Sequence, residues 1–284
     1  MSDELTIRRA SSVQDYLACQ NAQRLAWGIQ DDSYVIPLAT MVGAQLHGGI
    51  VLGAFLPTGE AVGMSFGFLG RTEEGRICFY SQLTGVVPGR QSGGLGYRLK
   101  LAQREIALAE GIDLMAWAFD PLQARNAGFN LVKLGVTCGR YVDDMYGRRS
   151  DQLNQGVATD RLIAEWDLRR PLPTTKTEAA CSPGPDLSLI TSTPREDGFR
   201  EVISQEPISL NDAAVTLLVE IPAEIGNLRQ QNPALAEQWR LAVRGALVAA
   251  FQAGYRAVGM RREAGGGDSL ERVFYRLSRA GQGD

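Results

Sequence analysis

The stretch that most constrains this chain runs from Cys78 to Leu101. An apolar, β-prone run, Cys78 to Val87, meets Pro88, passes through Gly89-Arg90-Gln91-Ser92-Gly93-Gly94, and restarts with Leu95, Leu99 and Leu101 down one side of a helix. The order is strand, glycine-rich loop, helix. Glycines at a helix start let backbone N–H groups close on an anion without a Cβ in the way, and the unpaired N–H groups of the first turn carry partial positive charge. The stretch therefore reads as a phosphate site, with a tight turn of no further purpose as the plain alternative. Spacing narrows the kind of site. A Walker A loop needs Lys then Ser or Thr after its last glycine, and Tyr97 and Arg98 stand there. The dinucleotide fingerprint needs a third small residue beyond Gly94-Leu95-Gly96, where Arg98 and Leu99 stand. What remains is Gln91-x-x-Gly94-x-Gly96, preceded by Val86-x-Pro88.

At 284 residues and net charge −3 the chain has room for one large or two modest domains and no general affinity for nucleic acid or anionic membrane. The longest apolar helix candidate, Leu241 to Phe251, is short and contains Arg244, so no membrane span is expected. Met1 to Glu4 lacks a basic region followed by an apolar run, and the cytoplasm is the expected compartment. Cys19, Cys78, Cys138 and Cys181 have no paired spacing and His47 is the single histidine, so neither a metal site nor a Ser-His-Asp triad is expected.

Strands are expected at Leu5 to Arg9, Ile50 to Leu56, Ala61 to Gly70, Arg76 to Val87, Leu114 to Phe119, Val136 to Tyr146 and Asp160 to Leu168. Helices are expected after the Ser11-Ser12-x-x-Asp15 cap, with Tyr16, Leu17, Ala18 and Leu25 inward, at Leu38 to Leu46, from the loop to Glu110, and from Gln123 to Leu134. This order, β, α, α, three antiparallel strands, α, β, α, β, β, together with the loop, resembles the GNAT superfamily of acyl-CoA N-acyltransferases over residues 5 to 168. Further words, Ser81-Gln82-Leu83-Thr84-Gly85-Val86, Trp117-x-Phe119-Asp120-Pro121-Leu122, Arg125-Asn126-Ala127-x-Phe129-Asn130, Lys133-Leu134-Gly135 and Asp160-Arg161-Leu162-x-x-Glu165-Trp166, resemble its bacterial branch often found beside N-acylamino acid racemases. So do Glu220-Ile221-Pro222 and Trp239-Arg240-x-x-x-Arg244.

The expected fold is thus α/β with an α+β mixed sheet: a GNAT domain over 1–168, a Pro/Thr/Ser-rich linker over 169–188, and a smaller α/β domain over 189–284. That last block, with a strand at Ala213 to Ile221, a helix from Pro233 to Ala253 and strands at Tyr255 to Arg261 and Leu270 to Leu277, repeats the plan of strand, proline, helix, glycine, strand. It lacks the glycine loop, having Leu228, Arg229, Gln230 and Gln231 there. It reads either as a degenerate GNAT-like repeat or as an unrelated appendage.

The resemblance implies an acyl group, acetyl or succinyl, passed from acyl-CoA to the amine of a small molecule such as an amino acid, by direct attack in a ternary complex. It implies no metal, and a homodimer is among the expectations. Val86 would hold the pantetheine arm and polarise the thioester carbonyl; Gln91, Ser92, Gly93, Gly94, Leu95, Gly96, Tyr97 and Arg98 would hold the diphosphate; Asn126 and Asn130, one turn apart, would bond the arm or the acceptor. Leu131 stands where many relatives have the tyrosine that protonates the thiolate, and Gln82 where they often have histidine. Tyr141 or Tyr146 then becomes the candidate acid, and Asp120 and Glu165 the candidate bases, with a turn and an ion pair as their plainer roles. Trp117 and Trp166 read as core, and Arg161, Arg148 or Arg149 as candidate holders of a substrate carboxylate. The alternatives are a silent acyl-CoA-binding or assembly module and an antibiotic N-acetyltransferase.

Overall fold

A computed structural model describes residues 5–147, 158–174, 186–206, 216–264 and 270–279. The described chain forms two compact units, 5–117 with 167–170, and 118–147 with 158–166, 171–174 and everything from 186 on.

In the first unit, β1 (Thr6–Arg9), β2 (Ile50–Phe55), β3 (Ala61–Arg71) and β4 (Ile77–Val86) lie side by side antiparallel, and β5 (Leu114–Phe119) joins β4 in parallel. Every residue of β2 is buried, as its unbroken apolar sequence demands of a strand covered on both faces. The covers are α1 (Val13–Trp27) and α3 (Leu95–Ala109), with α2 (Leu38–Leu46) beside β2 and β3. Gly85 shows how closely α1 approaches: a Cβ there would lie 2.3 Å from the Trp27 ring. Its neighbour Val86 faces the other way, toward α3, by strand alternation. Ser12 caps α1, accepting from the Asp15 N–H at 3.1 Å. Asp15 does not return the bond to Ser12; it takes Ser11 and Arg8 instead. The face that α1 buries is Tyr16, Cys19, Ala22 and Gln23 with Asp15, whereas Leu17 and Leu25, expected inward, are half exposed. Gln23 earns its place inside by donating to the Tyr34 carbonyl and accepting from Ile36 N–H.

In the second unit the sheet runs β7 (Arg161–Asp167), β6 (Thr137–Val142), β12 (Tyr255–Glu263), β13 (Arg272–Arg279), β11 (Thr216–Ile221), β8 (Asp186–Ser188), and β9 (Ile190–Pro194) pairs with β10 (Arg200–Gln205). These pairings draw β6 and β7 into the second unit. Cys138 of β6 pairs with Ala257 of β12, and α6 (Pro233–Gln252) packs on β6, so the last strands of the expected GNAT segment join the C-terminal layer. The linker is shorter than expected: 171–174 is irregular, 175–185 lies outside the described residues, and Asp186–Ser188 is already a strand.

The last block does not copy the step from β4 through α3 to β5. β4 and β5, joined by α3, are direct neighbours. β11 and β12, joined by α5 (Ile225–Gln231) and α6, are separated by β13, because the β12–β13 hairpin folds back between them. At the place of the glycine loop, Ile225 and Leu228 are buried, and burial of those side chains makes that segment a helix, α5.

Candidate functional site

The first unit builds its site where β4 outruns β5. The two strands pair only at Phe79 with Met115 and Tyr80 with Ala116. Beyond that point Ser81 to Val86 keep β3 as partner, with Val86 opposite Gly63. The Val87 N–H donates to the Val62 carbonyl at 3.0 Å, so by the alternation of an antiparallel ladder Val86 and Thr84 turn their backbone groups away from β3. The Val86 carbonyl receives the Gln91 amide at 3.3 Å.

The loop then turns on Gly89 (φ 82°), and Gln91–Gly93 makes one 3-10 turn. Gly94, at φ 69° and ψ 15°, enters α3 in the left-handed region that other residues avoid. It has no side chain to cap the helix, and no acidic residue stands in the first turn. The N–H groups of Leu95 and Gly96 open the first turn of α3 ahead of its internal ladder, while the Arg98 N–H closes on the Gly94 carbonyl at 3.1 Å. A Cβ at Gly93 or Gly94 would meet nothing within 4 Å, and one at Gly96 only Val86 Cγ2 at 3.9 Å. The space before these amides is open and bounded by Cβ-free backbone, the shape and polarity that suit a phosphate. Gln91, Ser92 and Arg98 are exposed, Gly96 and Tyr97 half-buried, and Leu95 is buried as core. Thus Val86 and the residues from Gln91 to Arg98 are brought together as one backbone-lined surface.

Sequence reasoning passed over Lys100. On α3 the buried residues are Leu95, Leu99, Lys100, Gln103 and Ala107, so Lys100 and Gln103 share the inward face. That helical spacing was the available signal. Lys100 Nζ donates to Ser81 Oγ at 2.8 Å and lies 3.7 Å from the centre of the Trp117 ring, and burial pulls its pKa down to about 7.

The second unit holds the remaining candidates, and it gives each nominated catalytic side chain an internal partner. Asp120 accepts from the Leu122 N–H at 2.9 Å and from Arg229 of α5 at 2.8 Å, so it forms the turn after β5 and an ion pair. Glu165 pairs with Arg256 of β12, two strands away. Tyr141 donates to Asp160 at 2.6 Å, and burial, with that carboxylate beside it, pushes the phenol far above its usual range. Asp160 is itself fully buried. Burial pushes its pKa up, but the Tyr141 hydroxyl, the Asp144 N–H and Arg244 outweigh it and hold the carboxyl below its usual range.

The expected helix over 123–134 is α4 (Ala124–Gly128) continued by a π turn, Phe129–Leu134, ending at Gly135 in the left-handed region. Asn130 is buried and donates to the exposed Asn126 at 3.4 Å, so the two share one face as the spacing required. Arg161 is largely buried, donating to the Asp160 carbonyl at 2.8 Å, with Tyr146 beside it. Arg148 and Arg149 lie outside the described residues. Trp117 and Trp166 are core, as read. Among the described residues no three of His, Cys, Asp or Glu gather as a metal site, and no helix is long and apolar enough to cross a membrane.

No family model and no curated protein matches the sequence. Solved structures do resemble the fold in part. YncA of Salmonella typhimurium, described as an acetyltransferase and solved with acetyl-CoA, is 22% identical with a TM-score of 0.47, over 62% of this chain and 99% of its own. A protein of Desulfovibrio desulfuricans described as a GNAT-family acetyltransferase is 18% identical with a TM-score of 0.45, over 58% and 99%. A GNAT-family acetyltransferase of Elizabethkingia anophelis with acetyl-CoA bound is 13% identical with a TM-score of 0.42, over 58% and 99%. Likeness at this level carries no argument about what this chain binds or does.

Proposed function

We propose that this chain is an acyl-CoA-dependent N-acyltransferase of the GNAT type. The observation that carries the reading is the parting of β4 from β5 after Tyr80 and Ala116, on the strand that leads into an uncapped helix N-terminus entered through Gly94. A coenzyme diphosphate fits against the amides of Leu95, Gly96 and Tyr97, and its pantetheine arm fits along the outward backbone of Thr84 and Val86 as an added strand would. The Val86 N–H is then the donor aimed at the thioester carbonyl, where negative charge grows as an amine attacks. In that step the amine nitrogen bonds to the carbonyl carbon, the carbon–sulfur bond breaks, and the proton lost by the amine leaves the thiol neutral. With Asp120, Glu165 and Tyr141 engaged in internal bonds, these protons pass through water in this reading. The acceptor is a small amine, an amino acid first among them, and the donor is acetyl-CoA or succinyl-CoA. Aminoglycoside acceptors belong to the same screen.

The internal pairing of all three nominated side chains favours a second reading, an acyl-CoA-binding module without turnover. Incubation with acetyl-CoA or succinyl-CoA and a pool of amino acids, followed by assay of free thiol, separates the two. Amine-dependent thiol release is the expected result. Coenzyme binding without release in any mixture would leave the module.

A further inference from the structure

Where β4 and β5 part, one side chain of α3 stands across the opening. The last paired residues are Tyr80 and Ala116, and Ser81 and Trp117 follow them on the two strands. Lys100 reaches both, by its hydrogen bond to Ser81 Oγ and its place over the Trp117 ring. The Ser81 hydroxyl in turn donates to Gln103 Oε1 at 2.9 Å, and Gln103 Nε2 is buried without a partner. All four residues are buried. Lys100 forms no ion pair among the described residues.

This is an expensive way to fill a core. A leucine or methionine at position 100 would remove a buried amine that has a single hydrogen bond, and stability alone favours that exchange. What the polar cluster supplies is geometry, because it ties α3 to a fixed atom of β4 and a fixed face of β5 at the point of divergence. We propose that Lys100 is a positioning residue of the coenzyme track: by bridging Ser81 and Trp117 it fixes the opening between β4 and β5 and so sets how well the pantetheine arm seats along β4. The inference rests on the acyl-CoA reading and deepens it.

The test is calorimetric titration of the full chain with coenzyme A and with adenosine 3′-phosphate 5′-diphosphate, which carries the phosphates and lacks the arm. Lys100→Met and Ser81→Ala weaken coenzyme A by about tenfold or more, a loss of about 1.4 kcal/mol, and leave the fragment within about twofold of wild type. A merely structural role would move both ligands together. Equal loss of both, or no loss of either, overturns the proposal. Circular dichroism checks folding, and if Lys100→Met does not fold, Ser81→Ala and Trp117→Leu decide on the same criterion. A wild-type chain that binds neither ligand overturns the acyl-CoA reading itself, a different result from wild-type binding that the variants leave untouched.

Discussion

Gly94 carries α3 in through a left-handed turn, so a side chain there is strained whatever the ligand does, at about 1–2 kcal/mol for a Cβ in that region. Gly96 has no such φ, and a Cβ there makes only an ordinary contact with Val86. Gly96→Val therefore probes the anion site without breaking the turn: thermal midpoint nearly unchanged and coenzyme affinity lowered at least about tenfold, or about 1.4 kcal/mol, by calorimetry. Lys100 makes a second prediction at this scale. Its pKa is 10.5 in the unfolded chain and about 7 in the folded one. Between those values the unfolded state binds more protons, so this group makes stability rise with pH, by up to about 1.4 kcal/mol per unit. Denaturant melts of wild type and Lys100→Met should show the variant's advantage greatest near pH 7 and shrinking toward pH 10. A constant difference would contradict it. The loop was legible in the sequence because glycine spacing and the strand before it are local signals. Lys100 was not, since a lysine's burial depends on which strands its helix covers.

At the scale of elements, the second unit is fastened where β6, β7 and α6 meet. Tyr141 of β6, Asp160 just before β7 and Arg244 of α6 share one buried carboxylate. Removing its charge leaves the guanidinium and phenol poorly matched, so Asp160→Asn should cost about 2–4 kcal/mol in denaturant melts. The sign of the pH dependence follows from the lowered pKa. The contribution is present above the usual carboxylate range and is lost as pH falls through the folded value. An Asp160→Asn chain as stable as wild type at pH 7 would refute this account. The segments beginning Asp160-Arg161 and Trp239-Arg240 stood out in the sequence, but nothing there said that Arg244 and Asp160 were partners, 84 residues apart. Likewise the partners of Asp120 and Glu165, Arg229 and Arg256, come from distant elements. The strands of the expected GNAT segment were legible because alternation and turns are short-range. The π turn at Phe129–Leu134 carries no comparable mark.

Over the whole molecule, a change in composition marks the stretch after residue 168, whereas the two compact units follow contacts. Pairing of β6 with β12 and packing of α6 on β6 are long-range choices that a proline-rich stretch cannot reveal. The same holds for β13 lying between β11 and β12. The diphosphate site proposed at the amides ahead of α3 lies inside the first unit. A crystal structure of the chain with coenzyme A tests it most directly. The account predicts diphosphate oxygens at hydrogen-bonding distance, about 3 Å, from amide nitrogens between Gln91 and Tyr97, with the arm along Thr84 and Val86. Coenzyme bound elsewhere, or none bound at saturating concentration, would contradict it.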